Sequence, residues 1–246
     1  MTIDGSAAAI LLVVFASALV RTVSGFGNAL VAMPLLALAG IGMKTATPLV
    51  ALLSLVLAVC ILLQNWKDVD LRSAWRLLAA TALGIPLGTF VVKSAYDSVG
   101  KILLALIIIG FSGYSLAKPK LSALKNEWLA YPFGFIAGIL GGAYNSNGPP
   151  VAIYGTLRRW RPDEFRATLQ GYFLPSSVII VAGHGIGGLW TPAVRYYFLL
   201  SLPFTLLAVL IGNRLHRFIP PGRFDRLIHI MLIIVGILLL FQTVFA

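Results

Sequence analysis

The stretch 141–150 reads Gly141-Gly142-Ala143-Tyr144-Asn145-Ser146-Asn147-Gly148-Pro149-Pro150 and interrupts an otherwise apolar region. An earlier stretch, Ser24-Gly25-Phe26-Gly27-Asn28, does the same between the apolar runs 6–23 and 29–39. Each break is followed by a short run, 29–39 or 148–157, that makes roughly 15–17 Å of helix, too little to cross a hydrocarbon layer of about 30 Å. Each pair of runs, 6–39 and 127–157, therefore reads as a helical hairpin whose tip lies within the membrane or near its far face. The two breaks resemble each other: Pro34 follows Gly25 by nine residues and Pro150 follows Gly141 by nine. The same offset, 116, brings Lys44 onto Trp160, where the two hairpins end.

The composition agrees with a membrane chain. Of 246 residues, 59% are hydrophobic and 11% charged, with mean hydropathy +0.93. A soluble domain carries about 25% charged residues, and disordered chains are poor in apolar ones. The net charge of +11 would point to nucleic acid in a soluble protein. Here the basic residues sit in short clusters between apolar runs and read as topology signals, so no nucleic-acid partner is expected. The single cysteine, Cys60, excludes an internal disulfide and any relay of sulfur between two thiols.

Beyond the hairpins, the runs 46–63, 75–92, 101–117, 167–183, 195–213 and 227–245 are each long enough to span. The run 6–23 lacks the basic start of a signal peptide and carries Asp4 ahead of it, so a retained first membrane helix is expected. Lys and Arg concentrate in 64–76, 118–126, 158–166 and 214–226, which the positive-inside rule sends to the cytoplasm, leaving both termini outside. Trp66, Trp75, Trp128 and Trp160 cluster at the cytoplasmic ends and Trp190 in the outer loop, as an interfacial belt requires.

The layout divides the chain into two repeats, 1–117 and 118–246, each a hairpin followed by three spans. Each half makes an odd number of net crossings, so the halves have opposite orientation. The expected fold class is an all-α polytopic membrane protein of two inverted repeats, a plan that secondary transporters use with substrate held near the midplane.

At these residues the chain resembles the TauE/SafE sulfite exporter family. The likeness rests on Ser24-Gly25-Phe26-Gly27 with Pro34, and more firmly on Gly138-Ile139-Leu140-Gly141-Gly142-Ala143 followed by Asn147-Gly148-Pro149-Pro150 and Tyr154. It covers nearly the whole chain as a two-half layout, with Pro86, Gly88 and Gly212 in the later spans. The first break reads Gly-Phe-Gly-Asn where many members run several glycines together. The resemblance implies movement of anionic sulfur compounds (sulfite, sulfonates), usually outward, across a bacterial inner membrane; there the outside termini expected from the basic clusters would be periplasmic.

The acids support an anionic cargo on independent grounds. Asp4, Asp68, Asp70, Asp97, Glu127, Asp163, Glu164 and Asp225 all fall in loops or at span ends. Cation carriers and proton pumps commonly keep a carboxylate inside the membrane. An anion could instead be held by helix starts, which expose unpaired N–H groups and about half a positive charge. Asn28 is expected to cap the helix 29–39, and Asn147 or Gly148 the helix 148–157, with Pro149 in its first turn. Gly25, Gly27, Gly141, Gly142 and Gly148 would let the ligand approach backbone, while Ser24, Asn28, Asn145, Ser146 and Asn147 add donors. The alternative for these asparagines is local satisfaction of backbone groups freed by the break.

Arg21, one turn before Gly25, is either a countercharge to the anion or a residue snorkelling to the interface. Gln170 and Tyr172 line the path or make packing hydrogen bonds. His184 is a loop or capping residue at the outer end, or a proton-coupling group. His216 and His229 have no metal-ligand spacing with it, so neither metal nor cofactor is expected. Arg158-Arg159-Trp160-Arg161 reads as a topology anchor, and Pro86, Pro175 and Pro203 as kinks.

No phosphate-binding Gly-Lys-Ser/Thr loop occurs, so transport would be secondary. The competing readings are an anion channel, a permease for small carboxylates, and a membrane enzyme or assembly factor; scarce His, Cys and intramembrane acids argue against the enzyme. The expected partners are a small anion, the lipid bilayer and, as an open option, a second copy of the chain in a homodimer.

Overall fold

The computed structural model describes residues 5–65, 71–94, 97–117, 123, 124, 126–160, 162–215 and 223–245. Asp4, Trp66, Lys67, Asp68, Asp70, Lys118, Lys120, Lys125, Arg161, His216 and Arg217 lie outside the described residues, as do the side chains of Asp163, Glu164, Arg166, Gln170 and Asp225. Among the described residues ten α-helices run in order: α1 (Gly5–Ser24), α2 (Asn28–Leu38), α3 (Met43–Asn65), α4 (Leu71–Ser94), α5 (Asp97–Ala117), α6 (Ala130–Tyr144), α7 (Gly148–Leu157), α8 (Pro162–Ile186), α9 (Pro192–Leu215) and α10 (Arg223–Phe245). The chain is an all-α polytopic membrane protein. Six helices (α1, α3, α4, α5, α9 and α10) are long and apolar enough to cross a bilayer. In α8 the apolar stretch among the described residues is Gly171–Ile186.

Most helices outrun the apolar runs that announce them. The run 46–63 becomes Met43–Asn65 and 75–92 becomes Leu71–Ser94. Hydropathy marks only the lipid-bathed part, whereas helical bonding continues through the interface where polar side chains are solvated. The run 127–142 differs in kind. It opens as a 3-10 turn, Glu127–Leu129, with the Asn126 side chain accepting from the Trp128 N–H, before α6 begins. Trp75 and Trp128 are exposed and meet edge and face of Tyr131, as interfacial rings do. Trp160 instead packs inward between Tyr154 and Phe165.

The closest helix pair is α4 with α6. The two run parallel, and glycines let backbone touch backbone. A Cβ added at Gly84 would fall 2.3 Å from the Phe135 carbonyl oxygen, at Gly88 2.1 Å from that of Ile139, and at Gly138 2.3 Å from that of Thr81. Gly134 and Gly142 approach Leu77 and Ile85 in the same way. The spacings Gly84-x-x-x-Gly88 and Gly134-x-x-x-Gly138-x-x-x-Gly142 are the small-residue pattern that brings membrane helices together. In the corresponding contact of α1 with α9, Ala18 packs with Ala208 and Gly212 meets the Thr22 side chain rather than backbone. Further packing pairs α5 with α10, α3 with α8, α3 with α9 and α4 with α8.

The short helices α2 and α7 lie inside this ring. Asn28 to Pro34 are buried without interruption, as are Gly148 to Ala152. Their backbone ends fall at membrane depth, and surrounding protein shields them from lipid, the condition under which such ends are tolerated.

Candidate substrate-binding site

Both breaks open onto one small cavity of about 20 Å³. It is lined by Gly27 and the start of α2, by Asn147 and the start of α7, and by Arg21 at the end of α1. At the first break the Gly25 N–H bonds back to the Arg21 carbonyl (2.7 Å), and the chain then turns through Gly25 and Gly27 at φ +83° and +97°. An L side chain is strained there, so this turn needs glycine. At the second break the left-handed residue is Asn145 (φ 52°), whose N–H bonds to Gly141 O (2.8 Å).

The expected caps are corrected. Gly27, not Asn28, occupies the N-cap of α2, and no side chain caps it. The intrahelical ladder begins with Val31 N–H to Gly27 O (3.2 Å), so the amides of Asn28, Ala29 and Leu30 carry no such bond. Asn147 does stand at the N-cap of α7, but its side chain does not cap; it donates to Ser176 Oγ (3.0 Å). The two starts are unequal, because Pro149 and Pro150 have no N–H and leave α7 chiefly the Gly148 amide and its dipole.

Ser54, at the middle of α3, joins the breaks. Its hydroxyl accepts from Asn28 Nδ2 (2.7 Å) and from Asn145 Nδ2 (2.6 Å), and donates to Val50 O (2.7 Å). That uses its one proton and both lone pairs. Asn28 Oδ1 in turn accepts from Arg21 Nη1 (2.9 Å). The chain Arg21–Asn28–Ser54–Asn145 thus fixes the geometry of the cavity with side chains from both halves.

Arg21 is 3% exposed, so it does not snorkel to the interface. Its Nε and Nη2 are buried with no hydrogen-bond partner, and its guanidinium carbon stands 5.2 Å from the centre of the Phe173 ring. The two acids with described side chains are at helix ends and already paired. Asp97 binds Lys101 (2.8 Å) and the Met43 N–H (2.7 Å), while Glu127 pairs with Arg76 and with Arg158 (3.5 Å). A buried guanidinium with unused donors is costly without an anionic acceptor.

The remaining expected residues fall elsewhere. Ser24 lines a neighbouring cavity of about 10 Å³ beside Leu232, with its hydroxyl unpaired. Gly25 shapes the turn without lining the main cavity. Gly141 packs against Ile180 and the Asn147 Cβ, and Gly142 against α4, and neither lines the cavity. Ser146 and Gly148 line the cavity. Gln170 lies on α8, its side chain outside the described part. Tyr172 is buried, its hydroxyl 2.9 Å from that of Thr81, which is the packing role. His184 is not in a loop: α8 continues through Ile186, and the buried ring sits 2.7 Å from Gly142 O. Ser54, Phe173 and Ser177 also line the cavity without having been singled out. The signal for Ser54 was a lone hydroxyl in mid-span, where lipid offers it no partner.

Two short buried helices whose starts line one cavity, among long helices that can cross a membrane, are a layout shared with transmembrane transporters built on interrupted helices. The chain belongs to the TauE/SafE sulfite exporter family, whose model matches residues 9–239. It is 27% identical over 210 residues to a protein of Cupriavidus necator described as a probable sulfite/organosulfonate exporter TauE, covering 82% of this chain and 79% of that one. It is 26% identical over 176 residues to a Comamonas testosteroni protein described as a probable inner membrane transporter protein TsaS, covering 70% and 73%. No solved structure matches the chain.

Proposed function

We propose that this protein is a secondary carrier that exports small sulfur oxyanions, sulfite or organosulfonates, across the bacterial inner membrane by alternating access. The anion is held between the starts of α2 and α7 with Arg21 as its countercharge. The single observation that carries this reading is the buried Arg21, whose Nε and Nη2 face no acceptor in the cavity that both helix starts line. A sulfonate or sulfite group presents several oxygens around one sulfur. It matches a fork of guanidinium donors opposed to backbone amides.

The packing supports two inverted repeats, α1–α5 and α6–α10. Exchanging the halves carries the α1–α9 contact onto α6–α4 and the α3–α9 contact onto α8–α4, and it leaves α3–α8 and α5–α10 unchanged. The basic clusters make the Arg76–Glu127–Arg158 face cytoplasmic and both termini periplasmic. The cavity has room for about one water molecule, so a larger anion requires the hairpins to part. That favours a carrier over an open channel.

The test is binding of sulfite, methanesulfonate, acetate and methylammonium to purified protein. Sulfur oxyanions are expected to bind and methylammonium not. Arg21→Ala should weaken anion binding about tenfold to a hundredfold, the worth of one charge-assisted hydrogen bond. Thermal stability should hold or rise, because an uncompensated buried cation has been removed. Unchanged affinity, or loss of stability without loss of affinity, would assign Arg21 a structural role.

A further inference from the structure

A second, larger cavity of about 510 Å³ opens on the face where α3 and α5 begin and α4 ends. Its rim carries Lys44, Ser94 and Asp97, all exposed, and Asp97 is already committed to Lys101 and the Met43 N–H. Lys44 also acts on Asp97 through space, so two cations, Lys44 and Lys101, stand against one carboxylate and leave this mouth net positive, which favours entry of anions. The floor is the ring of Tyr144, the last residue of α6, packed towards Gly100 of α5. Asn145, its neighbour in the chain, already lines the small central cavity. From Lys44 at the rim to Ser54 at the centre is ten residues of α3, about 15 Å. Tyr144 thus borders the vestibule one residue before Asn145, which lines the central site.

The Tyr144 side chain is poorly settled where it lies. It is 3% exposed, and its hydroxyl is buried with no hydrogen-bond partner, although the ring borders a cavity wide enough for water. A buried hydroxyl without a partner is unfavourable, and rotation of the ring into the vestibule would hydrate it. The inward position thus gains from ring packing and loses from the hydroxyl, which is the balance a two-state element needs.

We propose that Tyr144 is the gate between this vestibule and the central anion site, and that the vestibule is the passage by which the anion reaches or leaves that site on the Lys44 face. The proposal rests on the central-site reading above, but its test does not. A cysteine reporter, Ser177→Cys, is placed in the central cavity of a Cys60→Ser protein, and its modification by the anionic reagent 2-sulfonatoethyl methanethiosulfonate is timed. Tyr144→Ala should accelerate modification at least about tenfold. Tyr144→Phe keeps the ring and removes the unsatisfied hydroxyl, so modification should slow by about tenfold, the cost of one unpaired buried hydroxyl. No acceleration in Tyr144→Ala, or a Tyr144→Phe rate equal to the parent's, would overturn the gate. If instead the purified protein binds no sulfite while Tyr144→Ala still accelerates labelling, the substrate reading fails and the gate stands.

Discussion

The two hairpins do the same thing by different means. In the first, α1 carries Arg21 in its last turn, the break uses two left-handed glycines, and α2 starts with three amides outside its ladder. In the second neither α6 nor α7 carries a charge: Asn145 makes the left-handed turn, prolines remove two amides, and the asparagine side chains bond Ser54 and Ser176. Their seating differs in the opposite sense. The second hairpin is pressed backbone to backbone on α4, whereas the first meets α9 through Thr22 and small side chains, with a cavity of about 10 Å³ beside Ser17 and Ala18. Under the proposed function, recognition of charge resides in the more loosely held hairpin, and the tightly held one supplies a fixed wall.

The largest effects should come from the tight seat. Gly138→Leu would drive side-chain atoms into the α4 backbone, so loss at or above the ~1–3 kcal/mol range of overpacking is expected, read as failed insertion or a collapse in thermal stability. Gly212→Ala presses on the Thr22 side chain instead and should remain within that range, with the protein folded and inserted. Equal damage from both would erase the distinction between the hairpins. Next in size are the tip asparagines. Asn28→Leu removes the hydrogen-bond acceptor of Arg21 Nη1 and one of the two donors to Ser54, whereas Asn147→Leu removes bonds to Ser176 and Tyr172 on α8 and leaves Arg21 and Ser54 paired as they were. Anion affinity measured by calorimetry should fall about tenfold or more in the first and by less than that in the second. A reversed order would shift charge recognition to α7.

The smallest effect concerns how the two short helices end. Beyond α2 the positive φ falls on Gly40, and beyond α7 on Arg159 (φ 55°), a residue that pays for the left-handed region. Arg159→Gly should raise stability by about 1 kcal/mol in a detergent melt, provided that Arg158 still holds Glu127 and Leu124. A destabilised variant would mean that the Arg159 side chain contributes contacts that outweigh its backbone strain.

Much of this was legible in the residues themselves. Ten apolar runs map onto ten helices, and the two short runs are the two buried helices, because a run too brief to span must be sheltered by protein. Seven of the expected site residues, Arg21, Gly27, Asn28, Asn145, Ser146, Asn147 and Gly148, do meet around one cavity. What the residues did not announce was which glycines serve packing. Gly142 sits two positions before the end of α6 yet faces α4, since a helix sends neighbours to different sides. Ser54 was overlooked for a related reason. Its importance arises from a tertiary meeting of two breaks 91 and 26 residues away, and no local pattern encodes that. The fate of His184 depended on a helix end, the feature that hydropathy locates least well.

The most direct measurement is a structure of the protein with 2-bromoethanesulfonate, in which anomalous scattering from bromine fixes the ligand without ambiguity. The expected peak lies at the cavity between the starts of α2 and α7, with the sulfonate oxygens on Arg21 Nε and Nη2. A bound ligand far from Arg21, or a cavity closed by Phe26 and Phe173 with the guanidinium still unpaired, would contradict the assignment.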